Sequence, residues 1–546
     1  MNWLKLIRKL LPGQKKEKKT YDLEDLDINE RVQFVKDKKI NLELKKNIDL
    51  INTLFGNSYD LGMRRITVGA KKVEAAIFFM SGMSDPRSVE EILEALELNL
   101  LEETNTAHLK GEKLLQTILT RALNNKQTST SEDLTTLLKS VIMGSTMVLL
   151  DGVGKAVLCD TRGMKTRGIQ EPETEIVIRG PRDGFIENIQ TNTSLLRHRI
   201  HIPDLWLQKY EIGSLSKTDV VLAYIKGLAS EELIEEVKSR LEKIDIDMVL
   251  ESGYIEEYIL DETYTLFPLI KRTERPDIVV SCLVEGKVAI LIDGTPFALI
   301  LPTTFSMLMQ APDDYYEKYP IGSFIRILRY VAYMMALLLP GLYVAVINYH
   351  FELLPVDLLM RIAATREGVP FPVIVEALIL EVLFEVLREA GIRLPKAIGS
   401  TISIVGALIL GEAAINAGLT SPPMVIIVAL TAIASFTVPD YPLGIAARIL
   451  RFVFLFLGAT LGLFGIQFGI LLLLIHLCSL RSFGQPYFQP FGPFILADMK
   501  DSLVRRSWFQ MINRPKLIGG RNPKRQDYGQ NPRPPKPKGG KEKDEK

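Results

Sequence analysis

Five glutamates stand where carboxylates are costly. Glu376, Glu381, Glu385 and Glu389 lie in an otherwise apolar stretch, Pro370 to Ala390, and Glu412 is the lone charge in Ile409 to Gly418. Glu381, Glu385 and Glu389 recur every four residues and share one helix face, whereas Glu376 points elsewhere. An ionised group at membrane depth costs at least about 2.5–3.5 kcal/mol unless it meets a partner or water. The chemistry on offer is therefore an aqueous ion path or a polar contact between helices or subunits. Arg388 and Arg393 supply a second account, intrahelical pairing near a membrane surface, and both readings stay open. Around Glu412, Gly411, Ala413, Ala414 and Ala417 permit close helix packing but do not explain the carboxylate. That group must be protonated, paired with another helix, or facing water.

Other chemistry has little support in the residues. The five histidines (His108, His198, His201, His350, His476) form no metal-ligand pair with an acid at helical spacing. Arginines around His198 and His201 disfavour a cation there. Cys159, Cys282 and Cys478 are too dispersed for a disulfide framework or a metal site and read as reduced structural thiols. Asp151-Gly152-Val153-Gly154-Lys155 lacks the spacing with which backbone amides surround a phosphate, so a strand–turn–strand is expected. No nucleophile elbow occurs. The sequence thus names no catalytic, cofactor-binding or metal residue and no nucleic-acid partner. Arg179-Gly180-Pro181-Arg182-Asp183-Gly184-Phe185 forms a tight connection whose arginines could hold an anion. Pairing with Glu171, Glu173 and Glu175 is the favoured reading.

The elements that position the glutamates follow from hydropathy. The chain balances 66 Lys+Arg against 65 Asp+Glu, a net charge of +1, but distributes them unevenly. Tyr330 to Tyr349 is uncharged over 20 residues, enough for a helix to cross a hydrocarbon core of about 30 Å. Ala397 to Pro439 carries only Glu412, with a break expected at Gly418 to Pro423, and Phe452 to Leu480 carries no formal charge. Basic residues favour the cytoplasmic side of short loops. Arg326 and Arg329 before the first run, and 14 Lys or Arg from Lys500 to Lys546, place the N-terminal half and the tail in the cytoplasm. An even number of crossings follows. Six are preferred, with Phe452 to Leu480 folding as a tight hairpin at Gly462 to Gly469. Four remain the alternative, with Pro370 to Ala390 at the interface.

The charged half repeats itself. Lys72 to Met83 parallels Lys217 to Leu228, each a buried strand followed by an acidic amphipathic helix, Ser88–Leu98 and Ser230–Ile244. Met147-Val148-Leu149-Leu150-Asp151-Gly152 parallels Ala289-Ile290-Leu291-Ile292-Asp293-Gly294, each Asp-Gly reading as a hairpin turn. The expected fold is α/β: a soluble N-terminal region of two related subdomains, then an all-α multi-pass transmembrane bundle. The boundaries are a basic amphipathic leader over 1–45, subdomains over 46–185 and 186–320, the bundle over 321–482, and a basic tail over 483–546. The leader reads equally as a membrane-surface helix, since helical spacing puts Trp3, Leu4, Leu6, Ile7, Leu10 and Leu11 mostly on one face, or as a frayed basic segment.

Longer strings resemble a known family. They are Gly411-Glu412-Ala413-Ala414, Ser421-Pro422-Pro423-Met424-Val425, Thr431 to Phe436, Asp293 to Ala298, Leu301 to Phe305, Asp313-Asp314-Tyr315-Tyr316, Arg179 to Phe185 and Leu387 to Pro395. Together these resemble the A subunit of GerA-type spore germination receptors, over about Asn47 to Trp508. The resemblance implies the spore inner membrane, a permease-like B subunit, a lipoprotein C subunit, membrane lipid, and self-association into a homo-oligomeric, nutrient-gated cation channel. It implies no cofactor and no enzymatic activity. The expected ion path or inter-subunit polar contacts are Glu412, Asn416, Val425, Glu376, Glu381 and Glu385. Two alternatives are a secondary transporter of the nutrient itself, weakened because the visible repeat lies in the soluble half, and a non-conducting scaffold for the permease-like partner.

Overall fold

The computed structural model describes residues 26–36, 38–68, 73–98, 111–123, 127–163, 171–172, 174–393, 412–518, 520 and 522–532. Most of the expected leader, the opening of the third apolar run and the chain end lie outside the described residues. The chain divides into two compact units: Met1–Lys165 with Ile200–Gln208 and Ile225–Leu228, and the remainder, Thr166–Arg199, Lys209–Tyr224 and Ala229–Lys546.

In the first unit, strands β1 (Leu61–Val68), β2 (Val73–Met80), β3 (Thr128–Ser131), β4 (Thr146–Leu150) and β5 (Ala156–Cys159) form a sheet of order β1-β2-β4-β5-β3. The pairings are antiparallel, with Ala76 opposite Arg65 on one side and Leu149 on the other. Because successive side chains leave opposite faces, Ala76, Phe78 and Leu149 enter one core and Ala75, Ile77 and Val148 another. Both faces are covered, so β4 and β5 read as continuous apolar runs rather than alternating ones. Helix α1 (Ile28–Lys36) places Val35 in the first core. Helices α2 (Leu44–Phe55) and α4 (Leu134–Ile142) pack on that face, and α3 (Pro86–Leu98) packs on the other. On α2 the stripe Ile48, Ile51, Leu54 and Phe55 contributes about 1.5–3 kcal/mol per fully buried side chain. Gly56, at φ +59°, ends the helix in the left-handed region.

The second sheet has the same order, β6-β7-β9-β10-β8, from β6 (Leu205–Ile212), β7 (Thr218–Ile225), β8 (Lys271–Thr273), β9 (Val288–Ile292) and β10 (Ala298–Leu301). The repeated strings coincide with β2 and β7, then with β4 and β9. Each Asp-Gly does more than turn the chain. Asp151 Oδ1 accepts from the Leu44 amide at the start of α2, and Asp293 Oδ1 accepts from the Ile189 amide at the start of α5 (Ile189–Arg199). Asn47 and Asn192 repeat a second device, each closing a loop by exchanging hydrogen bonds with residues 41 and 186. Helices α6 (Glu231–Glu242), α7 (Ser252–Ile259) and α8 (Pro276–Glu285) complete this subdomain, α6 capped by the Ser230 hydroxyl.

The same unit continues into helices α9 (Tyr319–Tyr349), α10 (Val356–Arg366), α11 (Val373–Arg393), α12 (Pro422–Ser435) and α13 (Tyr441–Ser479). Two of these, α9 and α13, are long and apolar enough to cross a membrane, α13 counted across its break at Gly462. Within α13 the backbone leaves helical geometry at Gly462 (φ 63°, ψ −146°), and the chain reverses there. Consequently Leu477 returns beside Leu443 and Ala447, and Ile466 packs on Phe454. His350 Nε2 accepts from the Leu463 amide at 3.3 Å, and Tyr349 donates to the Ala459 carbonyl at 2.9 Å, so the end of α9 braces the reversal. Lower down, Gly341 and Gly458 let α9 and α13 meet backbone to backbone. A Cβ on Gly458 would lie 2.4 Å from the Gly341 carbonyl oxygen. The bases of both helices join the second subdomain through a core that includes Phe267, Phe305, Tyr333 and Tyr487.

Candidate functional site: ion pairs within the helical unit

The glutamates of α11 separate according to what α12 and α13 offer them. Pro422 and Pro423 open α12 and carry no N–H, so the Ser421 amide is the donor left at that terminus. Glu376, fully buried, meets it: its Oε2 accepts from the Ser421 amide at 3.0 Å and the Ser421 hydroxyl at 2.8 Å. Oε1 of the same carboxylate accepts from Arg366 at 3.1 Å. A carboxylate at a helix N-terminus also sits favourably in the helix dipole.

One and a half turns further along α11, Arg451 of α13 faces two carboxylates at once. Its Nη2 lies 3.0 Å from Glu381 and 2.9 Å from Glu385, and the second oxygen of Glu385 is 2.9 Å from Arg448. Arg451 and Glu381 are each about 1% exposed. Among the described residues no hydrogen bond reaches either Glu381 oxygen, and charge proximity to Arg451 holds this buried carboxylate. Arg388 donates instead to the Ser435 hydroxyl and stacks over the Phe436 ring at 4.4 Å. Only Glu389 follows the intrahelical account, pairing with Arg393 at i,i+4.

The remaining candidates lie elsewhere. Val425 is half-buried beside a core of Val344, Val373 and Ala377, whereas Glu412 and Asn416 are exposed on the chain surface. The structure therefore brings Glu381 and Glu385 together around Arg451, sets Glu376 apart at the head of α12, and leaves Glu412 and Asn416 outside this network.

A second buried network, missed in sequence, fixes the foot of α9. Asp314 accepts from Arg326 Nε at 3.1 Å and from both terminal nitrogens of Arg329 at 2.9 and 3.1 Å. Arg326 also reaches the Asp501 carboxylate at 3.0 Å, to which Tyr315 donates its hydroxyl at 2.8 Å. Burial pushes the Asp501 carboxyl above the usual range, with Arg326 opposing, and pushes the Tyr315 phenol well up. These arginines had served only as topology markers. The signal that could have found their partner was the acidic pair in Asp313-Asp314-Tyr315-Tyr316, one helical turn before α9. Within the Arg179–Phe185 connection, Arg182 pairs with Glu171 at 3.3 Å and Asp183 with Arg199 at 2.5 Å. Among the described residues, no group of three His, Cys, Asp or Glu could hold a metal ion.

Fold and site together define a class: two repeated α/β subdomains, and an apolar helical region that buries an ion-pair cluster between its helices. The family model described as Bacillus/Clostridium GerA spore germination protein matches residues 49–517. The chain is 44% identical over 496 residues to spore germination protein KA of Bacillus subtilis (strain 168), covering 91% of this chain and 90% of that protein. It is 38% identical over 481 residues to spore germination protein GerLA of Bacillus cereus, covering 87% and 96%. It is also similar to the crystal structure of the N-terminal domain of the A subunit of the Bacillus megaterium spore germinant receptor GerK3. That similarity is 34% in identity over 49% of this chain and 98% of the other, with a TM-score of 0.39. The chain belongs to the GerA spore germination protein family.

Proposed function

We propose that this chain is the A-type subunit of a nutrient receptor in the spore inner membrane, and that copies of it form a nutrient-gated cation path. The observation that carries this reading is the Arg451–Glu381–Glu385 cluster, buried between helices whose other residues are overwhelmingly apolar. Buried ion pairs stabilise a fold weakly or not at all against apolar replacements of equal volume, so their presence points to a switch or a path. Glu412 and Asn416 sit exposed on the single chain, and in an oligomer they would face a neighbouring copy or water. A permease-like B subunit and a lipoprotein C subunit complete the proposed receptor, with the α/β region and the tail on the cytoplasmic side. Nutrient binding to a partner would shift the helices between two packings, which requires differential affinity for those two states.

The test is potassium release from spores carrying Glu412→Gln, Asn416→Ala or Val425→Ala in place of the native residue, measured after nutrient addition. Altered release in at least one variant with normal protein abundance is expected. Unchanged release in all three removes the path from this region. Conductance of the reconstituted oligomer, compared with labelled-nutrient uptake into the same vesicles, separates a channel from a carrier.

A further inference from the structure

Two buried lysines of the second α/β subdomain have few acceptors for their hydrogen bonds, although the Glu175 and Asp440 carboxylates lie within charge range of Lys271. Lys271, on β8, and Lys287, beside the start of β9, are 6% and 4% exposed. An ammonium carries three donors. Lys271 Nζ has the Met307 carbonyl oxygen at 3.5 Å, and Lys287 Nζ has the Met307 thioether at 2.8 Å and Glu285 no nearer than 3.9 Å. A thioether is a weak acceptor, and a buried cation ordinarily requires a hydrogen-bonded anion.

Both side chains line one cavity of about 370 Å³. Its walls are mainly apolar and aromatic, with Tyr315 and Tyr316 from the short helical turn Asp313–Tyr316 before α9 and Trp508 from the tail. Arg525 adds a third cation, paired to Glu285 at 2.9 Å. Asp277, also on the wall, accepts from Arg275 and Tyr316 at one oxygen, while its Oδ1 is buried without a partner among the described residues. Cavities of this size, apolar with a few convergent polar groups, are the usual form of a small-molecule site.

The geometry points to a binding site for a small organic anion, a carboxylate or phosphate on an apolar body, with Lys271 and Lys287 receiving the charge. The inference does not depend on the proposed cation path, since no residue of that path lines the cavity. Its position adds a consequence. Tyr315 lines the cavity and donates to Asp501, which holds Arg326 at the foot of α9, so an occupant bears on the anchor of the first long helix through one side chain.

The experiment uses the full chain in nanodiscs of phosphatidylcholine, titrated with benzoate, with phenyl phosphate and with the neutral benzyl alcohol. Emission of Trp508 is taken as the difference between a Trp3→Phe variant, which keeps Trp206, and a matched control that also carries Trp508→Phe. Saturable change with the two anions and none with the alcohol is expected. Affinity should fall about tenfold or more in Lys287→Met, and Lys287→Arg should recover part of it. A second arm replaces part of the lipid by phosphatidylglycerol. Response to the soluble anions assigns the site to a free metabolite; response only to the anionic lipid assigns it to a headgroup, and either upholds the anion site. No response in both arms, or equal binding of benzoate and benzyl alcohol, overturns it, and neither result rests on a substitution at a cavity lysine.

Discussion

Arg329 grips Asp314 with both terminal nitrogens, at 2.9 and 3.1 Å, in a pocket where the carboxylate is 1% exposed. The fork of a guanidinium matches a carboxylate in this way, and a lysine does not. Because Arg326 shares the same carboxylate, one acid bridges two cations on successive turns of α9, and Asp501 supplies the second negative charge. Asp314→Asn should therefore destabilise the helical unit by about 3–5 kcal/mol, since removing one partner leaves buried charges uncompensated. Thermal unfolding in detergent would show it. A variant as stable as the parent means that Asp501 alone suffices.

The Arg451 cluster makes a prediction about coupling. Arg451→Met strands Glu381, leaves Glu385 with Arg448 alone, and should lower the unfolding temperature clearly. Adding Glu381→Gln should recover part of the loss, because the second change removes a charge that the first left unpaired. Additive losses in that double-mutant cycle are inconsistent with the pairing.

Glycine replacement should here run against its usual sign. Alanine in a helix interior is ordinarily favoured over glycine by about 1 kcal/mol. At Gly458 and Gly341 the added Cβ would sit 2.4 and 2.6 Å from carbonyl oxygens of the facing helix. Each Gly→Ala change should instead cost about 1–3 kcal/mol by forcing α9 and α13 apart. Equal or raised stability in either variant rules out the close approach.

Glu256 supplies a pH dependence outside the helical region. Burial, aided by Glu251 and Asp440 and opposed by Arg272 at 3.2 Å, raises its carboxyl to about 6 from an ordinary 4.5. The folded state then binds more protons than the unfolded state between those values, so this contribution to stability falls as pH rises from about 4.5 to about 6. The full effect is about 2 kcal/mol, and Glu256→Gln should abolish this part of the stability profile. A variant whose unfolding midpoint tracks pH as the parent does would refute the assignment.

Much of the α/β region is legible because its signals are local. The strings around Asp151-Gly152 and Asp293-Gly294 identify matching strands, and each hairpin turn forms from its own residues. The capping of α2 by Asp151 and of α5 by Asp293 is not legible, since each joins residues 107 and 104 positions apart. The similar spacing of Asn41…Asn47 and Ile186…Asn192 is visible only once the loops are seen. Likewise, the every-fourth-residue pattern groups Glu381, Glu385 and Glu389, but Glu389 takes a partner on its own helix.

The sequence by itself determined where water is excluded: length, hydropathy and the two matched pairs of strings set the apolar helices and the doubled sheet, because transfer from water depends on composition over a short window. Tertiary structure alone decided which charges meet. Arg451 selects Glu381 and Glu385, and Asp314 collects Arg326 and Arg329, because an ion pair depends on a few ångströms between side chains whose separation along the chain says nothing about their distance in the fold.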